Sequence, residues 1–337
     1  MRNYIDKINS RQNLSHDEIT VVMELIMAGH ASLEDIGDFL LALNAKGPTV
    51  EEITACALIM RRFVVPIKTK HEVVLDTCGT GGDRKGTFNI STTAAFIIAS
   101  CGVAVAKHGN RSVSSQCGSA DVLEALGINV GLDQARVSAC LDQVGIAFLF
   151  AQTLHPAMKN VAPVRKSLGV KTIFNILGPL TNPASATHQI VGVYSRDLVE
   201  PIAHVLMHLG IKRALVVHGN DGLDEITTTD RTFIAEFNGR EVVSYDIDSQ
   251  ELGINRAILD DLNGGNKIEN AEILEGILSG QRGSKRDIVL VNSAYGLYTA
   301  GAVNNITQGI QMAQHAIDSG RALAKLNELK ESTNRVW

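Results

Sequence analysis

The sequence predicts a small all-helical domain followed by a larger α/β domain with a mostly parallel sheet. Three observations carry that reading. Three hydroxyl-led helix starts crowd the first 66 residues. Beyond them, short apolar runs alternate with helical stretches, the pattern of a layered α/β unit. An Asn-Gly turn, Asn238-Gly239, divides two strand-like segments as a hairpin would. A chain of 337 residues is long enough for two domains. The boundaries read as 1–68 and 69–337, with part of roughly 167–186 packing back on the helices.

The helical part begins at Ser15-His16-Asp17-Glu18, Ser32-Leu33-Glu34-Asp35 and Thr49-Val50-Glu51-Glu52. Each reads as a capping box, in which the hydroxyl accepts a backbone N–H and the acid three residues on reaches back. Ile19, Val22, Met23 and Ile26 then follow helical spacing, and Gly29 ends that helix. The second helix stops between Asn44 and Gly47, and the third runs to about Val64. In the second part, Val73 to Leu75, Val103 to Ala106, Ile146 to Phe150, Ile190 to Val193 and Ala214 to Val217 read as buried strands. Phe233 to Phe237 and Glu241 to Tyr245 form the hairpin, and the C-terminal part returns to helix.

Composition narrows the function. Hydrophobic residues make up 45% and charged residues 20%, so the chain has the makings of an ordinary packed core. A net charge of -5 without any basic run argues against a nucleic-acid surface. Small anionic ligands remain open, because local dipoles and a few cations outweigh a weak overall field. Cys56, Cys78, Cys101, Cys117 and Cys140 are scattered and contain no C-x-x-C pair. With no apolar leader or membrane-length segment, they suggest reduced thiols in a soluble cytoplasmic protein.

Four segments carry chemistry. Asp76 to Asp83 is a strand running into a glycine loop, followed by Thr87, Asn89, Ile90, Ser91 and Thr92 before an apolar helix. Backbone N–H groups, a helix N-terminus and two hydroxyls suit an anion, and Asp83 suggests a sugar hydroxyl or a metal nearby. A Gly-rich structural turn is the alternative. Lys107 to Ser115, with Gly118-Ser119-Ala120-Asp121, packs cations, hydroxyls and glycines into one loop, as a multiply charged phosphate needs. A solvated loop is the alternative there. His108 reads either as a general acid or as a structural histidine bonded to backbone. His155 to Lys166 carries Lys159, Arg165 and Lys166, for which solvated charges are the alternative, and Thr172 to Pro183 has the punctuation of a fixed turn. Asp221 to Glu225 follows a strand at its carboxyl end, where open α/β sheets bind ligands, and its adjacent acids suit Mg²⁺, with ordinary acids of a surface loop as the alternative.

In this order the segments resemble the anthranilate phosphoribosyltransferase family. The marks are GTGGD at Gly79–Asp83, NIST at Asn89–Thr92, KHGNRSVSS at Lys107–Ser115 and GSADVLEALG at Gly118–Gly127. HPAMKNVAPVRKSLG at His155–Gly169, NILGPLTNP at Asn175–Pro183 and DGLDE at Asp221–Glu225 complete the set. Gln116-Cys117 departs from the family, which more often has Ser beside that glycine. The resemblance implies a fold related to the nucleoside phosphorylases and a homodimer formed through the helical domains. It implies that Gly79, Gly82, Asp83, Thr87, Asn89, Ile90, Ser91, Thr92, Lys107, His108, Gly109, Asn110, Arg111, Ser112, Val113, Ser114, Ser115 and Ser119 contact phosphoribosyl pyrophosphate. Asn110 and Arg165, with the Gly79 backbone, would contact anthranilate. Two Mg²⁺ per subunit are implied, one served by Ser91 and Glu225, the other by Asp224 with Glu225. A pyrimidine-nucleoside phosphorylase and a non-catalytic nucleic-acid-binding relative are the rival readings.

Overall fold

A computed structural model describes residues 1–112 and 116–335. Val113, Ser114 and Ser115 of the second loop lie outside the described residues.

Four helices open the chain, Arg2–Asn9, His16–Met27, Leu33–Lys46 and Val50–Arg62. Ser15 and Thr49 form reciprocal capping boxes with Glu18 and Glu52. The middle start differs. The Ser32 side chain accepts the Asp35 N–H, but Asp35 takes the Ser32 hydroxyl at 2.9 Å instead of the backbone N–H. Aspartate is one methylene shorter than glutamate, which explains the missing return bond. The first helix has no side-chain cap and offered the sequence no start signal; burial of Ile5 and Ile8 fixes it.

Seven strands follow: β1 Val74–Gly79, β2 Ala104–Gly109, β3 Ile146–Phe150, β4 His188–Gly192, β5 Arg213–Gly219, β6 Arg231–Phe237 and β7 Val242–Asp248. They form one sheet in the order β3-β2-β1-β4-β5-β6-β7. The first five run parallel, and β6 and β7 add an antiparallel edge. This is the mostly parallel sheet that the alternation predicted, with the hairpin turning at Asn238-Gly239. Strand order reverses between β1 and β4, and such a switch point opens a crevice at the carboxyl ends.

Neighbouring residues on the strands face different cores. Leu215 and Ile190 join one apolar cluster with Ile226, Val291 and Tyr295, whereas Val216 and Val191 join another. That second cluster is continuous from Ile19 and Phe39 in the opening helices, through Phe174, Leu177 and Leu180, to Ile202 and Leu206. Phe96, Ile97, Leu290, Leu297 and Leu326 lie in a third cluster with β1, β2 and β3, which brings the C-terminal helices onto the sheet. Among the described residues, no helix is long and apolar enough to cross a membrane.

One ion pair inside the helical part is unusually enclosed. The Glu52 carboxylate accepts from Lys46 at 2.7 Å, from the Thr49 N–H at 2.8 Å and from the Leu14 N–H at 2.9 Å. Removing one partner of a buried, hydrogen-bonded pair strands the other charge and costs about 3–5 kcal/mol. Glu52→Ala is therefore expected to lower the urea midpoint strongly, whereas Ser15→Ala, which removes only an exposed cap, costs about 1 kcal/mol. Equilibrium unfolding of both variants checks the contrast.

Candidate active site

The crevice at the switch point is built by four loops, those following β1, β2, β4 and β5. Gly79 closes β1, and the chain then passes through Gly81, Gly82, Arg84 and Gly86, all at positive φ. Arg84, at φ 59, is the one of these with a side chain. Farther on, Thr87 bridges to Asn263, and the Phe88 N–H donates to the Leu262 carbonyl. These bonds fasten the loop before the Ile90–Ser100 helix begins. Ile90 is buried, and its N–H is already donated to Phe88. The Ser91 N–H points to the Glu225 carboxylate at 3.1 Å. Thr92 is buried beneath this helix N-terminus, and Asn89 reaches the Cys117 carbonyl while its own Oδ1 is buried without a partner.

From β2, Lys107 is buried, and its ammonium donates to the Thr77 carbonyl and, at 3.3 Å, to Ser91 Oγ. His108 stacks on His155 with ring centroids 4.8 Å apart, and both Nε2 atoms are buried without a partner. Burial, with His155 beside it, pushes His108 down to about 3; burial pushes His155 down to about 4. Both rings are therefore neutral near pH 7. The Gly178 backbone bonds to His108, in keeping with the structural reading of that histidine.

The second loop folds tightly on itself. A Cβ built on Gly109 would lie 2.2 Å from Ser119 Oγ, and one on Gly118 would lie 2.3 Å from the Ser112 nitrogen. The Asp121 carboxylate gathers the N–H groups of Ser112 and Gly118. Asn110 accepts the Arg111 N–H on its side chain and the Ser119 hydroxyl on its carbonyl. Arg111 is exposed and turned to Glu124, at 2.6 and 2.7 Å, and to Asp121 at 3.1 Å. To meet a ligand, its guanidinium would exchange these partners.

The loop after β5 brings the carboxylates in. Asp221 accepts the Leu223 N–H and the hydroxyls of Thr227 and Thr229, which shapes the turn. Asn292 from the Ser284–Thr299 helix holds both the N–H and the carbonyl of Ile226. Between these anchors, Asp224 Oδ2 accepts the Gly81 N–H at 2.9 Å. Asp224 is pushed up to about 7, by burial first and then by Asp83. Glu225 is pushed up to about 8, by burial first and then by Asp224, against the pull of Lys107 and the Ser91 N–H. Excess negative charge in a confined place is what a divalent cation relieves. Among the described residues, no three His, Cys, Asp or Glu side chains make a complete cage. Mg²⁺ in general takes one or two carboxylates and completes its shell with phosphate and water, and Asp224 and Glu225 are two such carboxylates.

Arg165 lies apart, on the Ala162–Leu168 helix. It is half-buried, burial lowers its pKa, and among the described residues no carboxylate pairs with it. The sequence missed Lys171. Its ammonium sits 3.3 Å from the Tyr194 ring centroid and donates to the Gly82 carbonyl at 3.1 Å. A lone Lys ahead of a turn gave no signal, because its partners come from loops far along the chain.

Family models match in two adjoining parts: a glycosyl transferase helical bundle domain over residues 2–64 and a glycosyl transferase a/b domain over 71–323. An anthranilate phosphoribosyltransferase of Moorella thermoacetica is 53% identical over 325 residues, 96% of each chain. The chain belongs to the anthranilate phosphoribosyltransferase family. The Thermus thermophilus anthranilate phosphoribosyltransferase crystal structure superposes with a TM-score of 0.93 at 40% identity, covering 98% of this chain and 99% of that one. The Saccharomyces cerevisiae anthranilate phosphoribosyltransferase, solved with PRPP and Mg, gives 0.86 at 29% identity over 95% and 93%. The same yeast enzyme has been solved with 4-fluoroanthranilate.

The carboxyl pair of this family member makes a testable link to stability. Both carboxyls have folded pKa values above their unfolded ones, so without metal the folded state binds more protons. Its stability should therefore fall as pH rises from about 4 to about 8. Melting curves in a chelator should show that slope, Mg²⁺ with pyrophosphate should reduce it, and Asp224→Asn with Glu225→Gln should flatten it. An unchanged slope in the double variant would mean that other groups set it.

Proposed function

We infer that the chain transfers the phosphoribosyl group of phosphoribosyl pyrophosphate to the amine of anthranilate. The products are N-(5-phosphoribosyl)anthranilate and pyrophosphate, in tryptophan biosynthesis. One observation carries the reading: in a chain of this family, an anion loop, a buried lysine and a carboxylate pair converge at the switch point (Gly81 N–H, Lys107 and Asp224–Glu225). The carboxylate pair favours the transferase over a pyrimidine-nucleoside phosphorylase.

In this reading, Gly79, Gly82, Asp83, Thr87, Asn89, Ile90, Ser91, Thr92, Lys107, Asn110 and Ser119 line the phosphoribosyl pyrophosphate side. His108, Gly109, Arg111 and Ser112 continue that lining. Ser91, Asp224 and Glu225 hold two Mg²⁺ per subunit. Bound Mg²⁺ neutralises charge on the departing pyrophosphate. Buried Lys107 holds the phosphates where that charge develops, and the Gly81 N–H joins it by exchanging its Asp224 partner for phosphate. Arg165 takes the anthranilate carboxylate, with Asn110 and the Gly79 backbone beside it. The amine is neutral and attacks an oxocarbenium-like carbon with inversion, so placement rather than a strong base supplies the rate.

The two bodies proposed are 1–68 and 69–337, with part of 167–186 returned to the helices; Phe174, Leu177 and Leu180 support the return by sharing the helical cluster. Closure between them would exclude water from the reacting carbon. Exposed Val21, Leu33 and Leu41 on the helices support a homodimer formed there. Light scattering should then give twice the 36.2 kDa chain mass. The thiols of Cys56, Cys78, Cys101 and Cys140, none of them in a disulfide, support a cytoplasmic setting.

Loss of anthranilate fluorescence with phosphoribosyl pyrophosphate, dependent on Mg²⁺, tests the activity; no loss would reject it. Two variants should separate the halves of the site. Lys107→Ala should weaken phosphoribosyl pyrophosphate by about 10- to 150-fold and anthranilate much less. Arg165→Lys keeps charge but loses the forked donor, so anthranilate KM should rise, and Arg165→Ala should raise it further. Titration of phosphoribosyl pyrophosphate without anthranilate should barely register either Arg165 change. Normal anthranilate KM in Arg165→Ala would exclude the carboxylate role.

A further inference from the structure

The NILGPLTNP segment takes no direct part in the chemistry above, and Asp76 is a buried carboxylate that the mechanism does not use. The two meet. Asp76 lies in β1 with no measurable exposure. Its Oδ1 accepts the His108 N–H at 3.0 Å, across the β1–β2 pairing. Its Oδ2 accepts from Asn182 Nδ2 at 2.7 Å and from Gln189 Nε2 at 3.5 Å. Asn182 also donates to the Ala106 carbonyl at 2.8 Å and accepts the Ala184 N–H at 2.8 Å. Gln189 donates to the Pro179 carbonyl at 2.9 Å. One carboxylate thus ties the turn after Gly178 to the peptides on both sides of Lys107.

The arrangement exceeds what the fold needs. The strand ladder already fixes β2 against β1, and an apolar residue at position 76 would avoid burying a charge. Lys107 is the reason to keep one. Its ammonium is buried and donates to the carbonyl of Thr77, the residue after Asp76, and to the Ser91 hydroxyl, so the peptides that Asp76 holds are the ones that carry Lys107. Glu225 and Asp224 lie beyond, and Asp76 differs from them in being shut away from any ligand.

We propose that Asp76 and Asn182 are positioning residues for phosphoribosyl pyrophosphate: together they fix the Ala106–His108 peptides and so keep the Lys107 ammonium aimed into the crevice. Neither touches the ligand. This rests on the reading of Lys107 as a phosphate-holding group.

The test uses Asp76→Asn, which keeps the shape and removes the charge, and Asn182→Ala, which leaves the Asp76–His108 bond in place. Each is assayed with saturating Mg²⁺ for both KM values, for binding of phosphoribosyl pyrophosphate by calorimetry without anthranilate, and for thermal unfolding. Both variants should raise KM and Kd for phosphoribosyl pyrophosphate about tenfold, because misplacing a binding group by a fraction of an ångström is felt at that scale. Anthranilate KM should stay near its starting value. A merely structural pair would lower Tm and move both KM values together, or neither, and either result in a folded variant overturns the proposal. If Asp76→Asn does not fold, Asn182→Ala alone decides. Lys107→Ala runs alongside: if it keeps normal phosphoribosyl pyrophosphate affinity, the reading of Lys107 has failed, whatever Asp76 does.

Discussion

A Cβ placed on Gly192 would lie 1.6 Å from the Asp224 carbonyl oxygen, and one on Gly79 would lie 2.8 Å from Asp224 Oδ2. The β5 loop therefore crosses directly over the ends of β1 and β4, where only glycine leaves room. Much of the site depends on that close approach. It brings Asp224 to the Gly81 N–H and carries Glu225 to the first turn of the Ile90–Ser100 helix. A bulkier residue at either strand end would lift the loop and separate the carboxylates from the anion cradle. The approach is kept by buried polar anchors, Asp221 with its two threonines on one side and Asn292 on the other, each more rigid than a surface loop.

That crossing sets the electrostatics. The glycine loop, the helix N-terminus and Lys107 make a place for negative charge, and the chain itself delivers two carboxylates there. Their raised pKa values measure the conflict. A cation alone would satisfy the acids, and an anion alone would satisfy the donors. A divalent cation with a pyrophosphate satisfies both, so the two are expected to bind more tightly together than either does alone.

The fold was legible because its signals are local. The Val73 to Leu75, Ile146 to Phe150 and Ala214 to Val217 runs each became a strand, and Asn238-Gly239 became the hairpin turn. The capping signals held wherever a glutamate was long enough to reach back. The catalytic segments were legible as compositions, but their pairings were not. Nothing near Gly192 announces that Asp224 will cross it, and nothing near Lys171 announces Tyr194. The ring of His108 was visible as a titratable group; its stacking on His155, which helps to keep it neutral, depends on the intervening chain folding first. The uncapped Arg2–Asn9 helix was missed because tertiary burial of Ile5 and Ile8, rather than a start signal, holds it.

The two halves of the site rest on different supports, and this bears on how they work together. Lys107 and the glycine loop hang from the sheet. The His155–Arg165 stretch leans on the helical bundle. Asn160 donates to the Met27 carbonyl at the end of the His16–Met27 helix, and Val164 packs where Gly37 leaves space. Arg61 crosses between the two, giving its guanidinium to the carbonyls of Leu180 and Leu209, and among the described residues no carboxylate pairs with it. The apolar cluster that runs from Ile19 and Phe39 to Ile202 and Leu206 ties the bundle to the sheet, and these carbonyl contacts fix its direction there. The stretch proposed to take the acceptor is thus held by the bundle, and the loops proposed to hold the donor are held by the sheet.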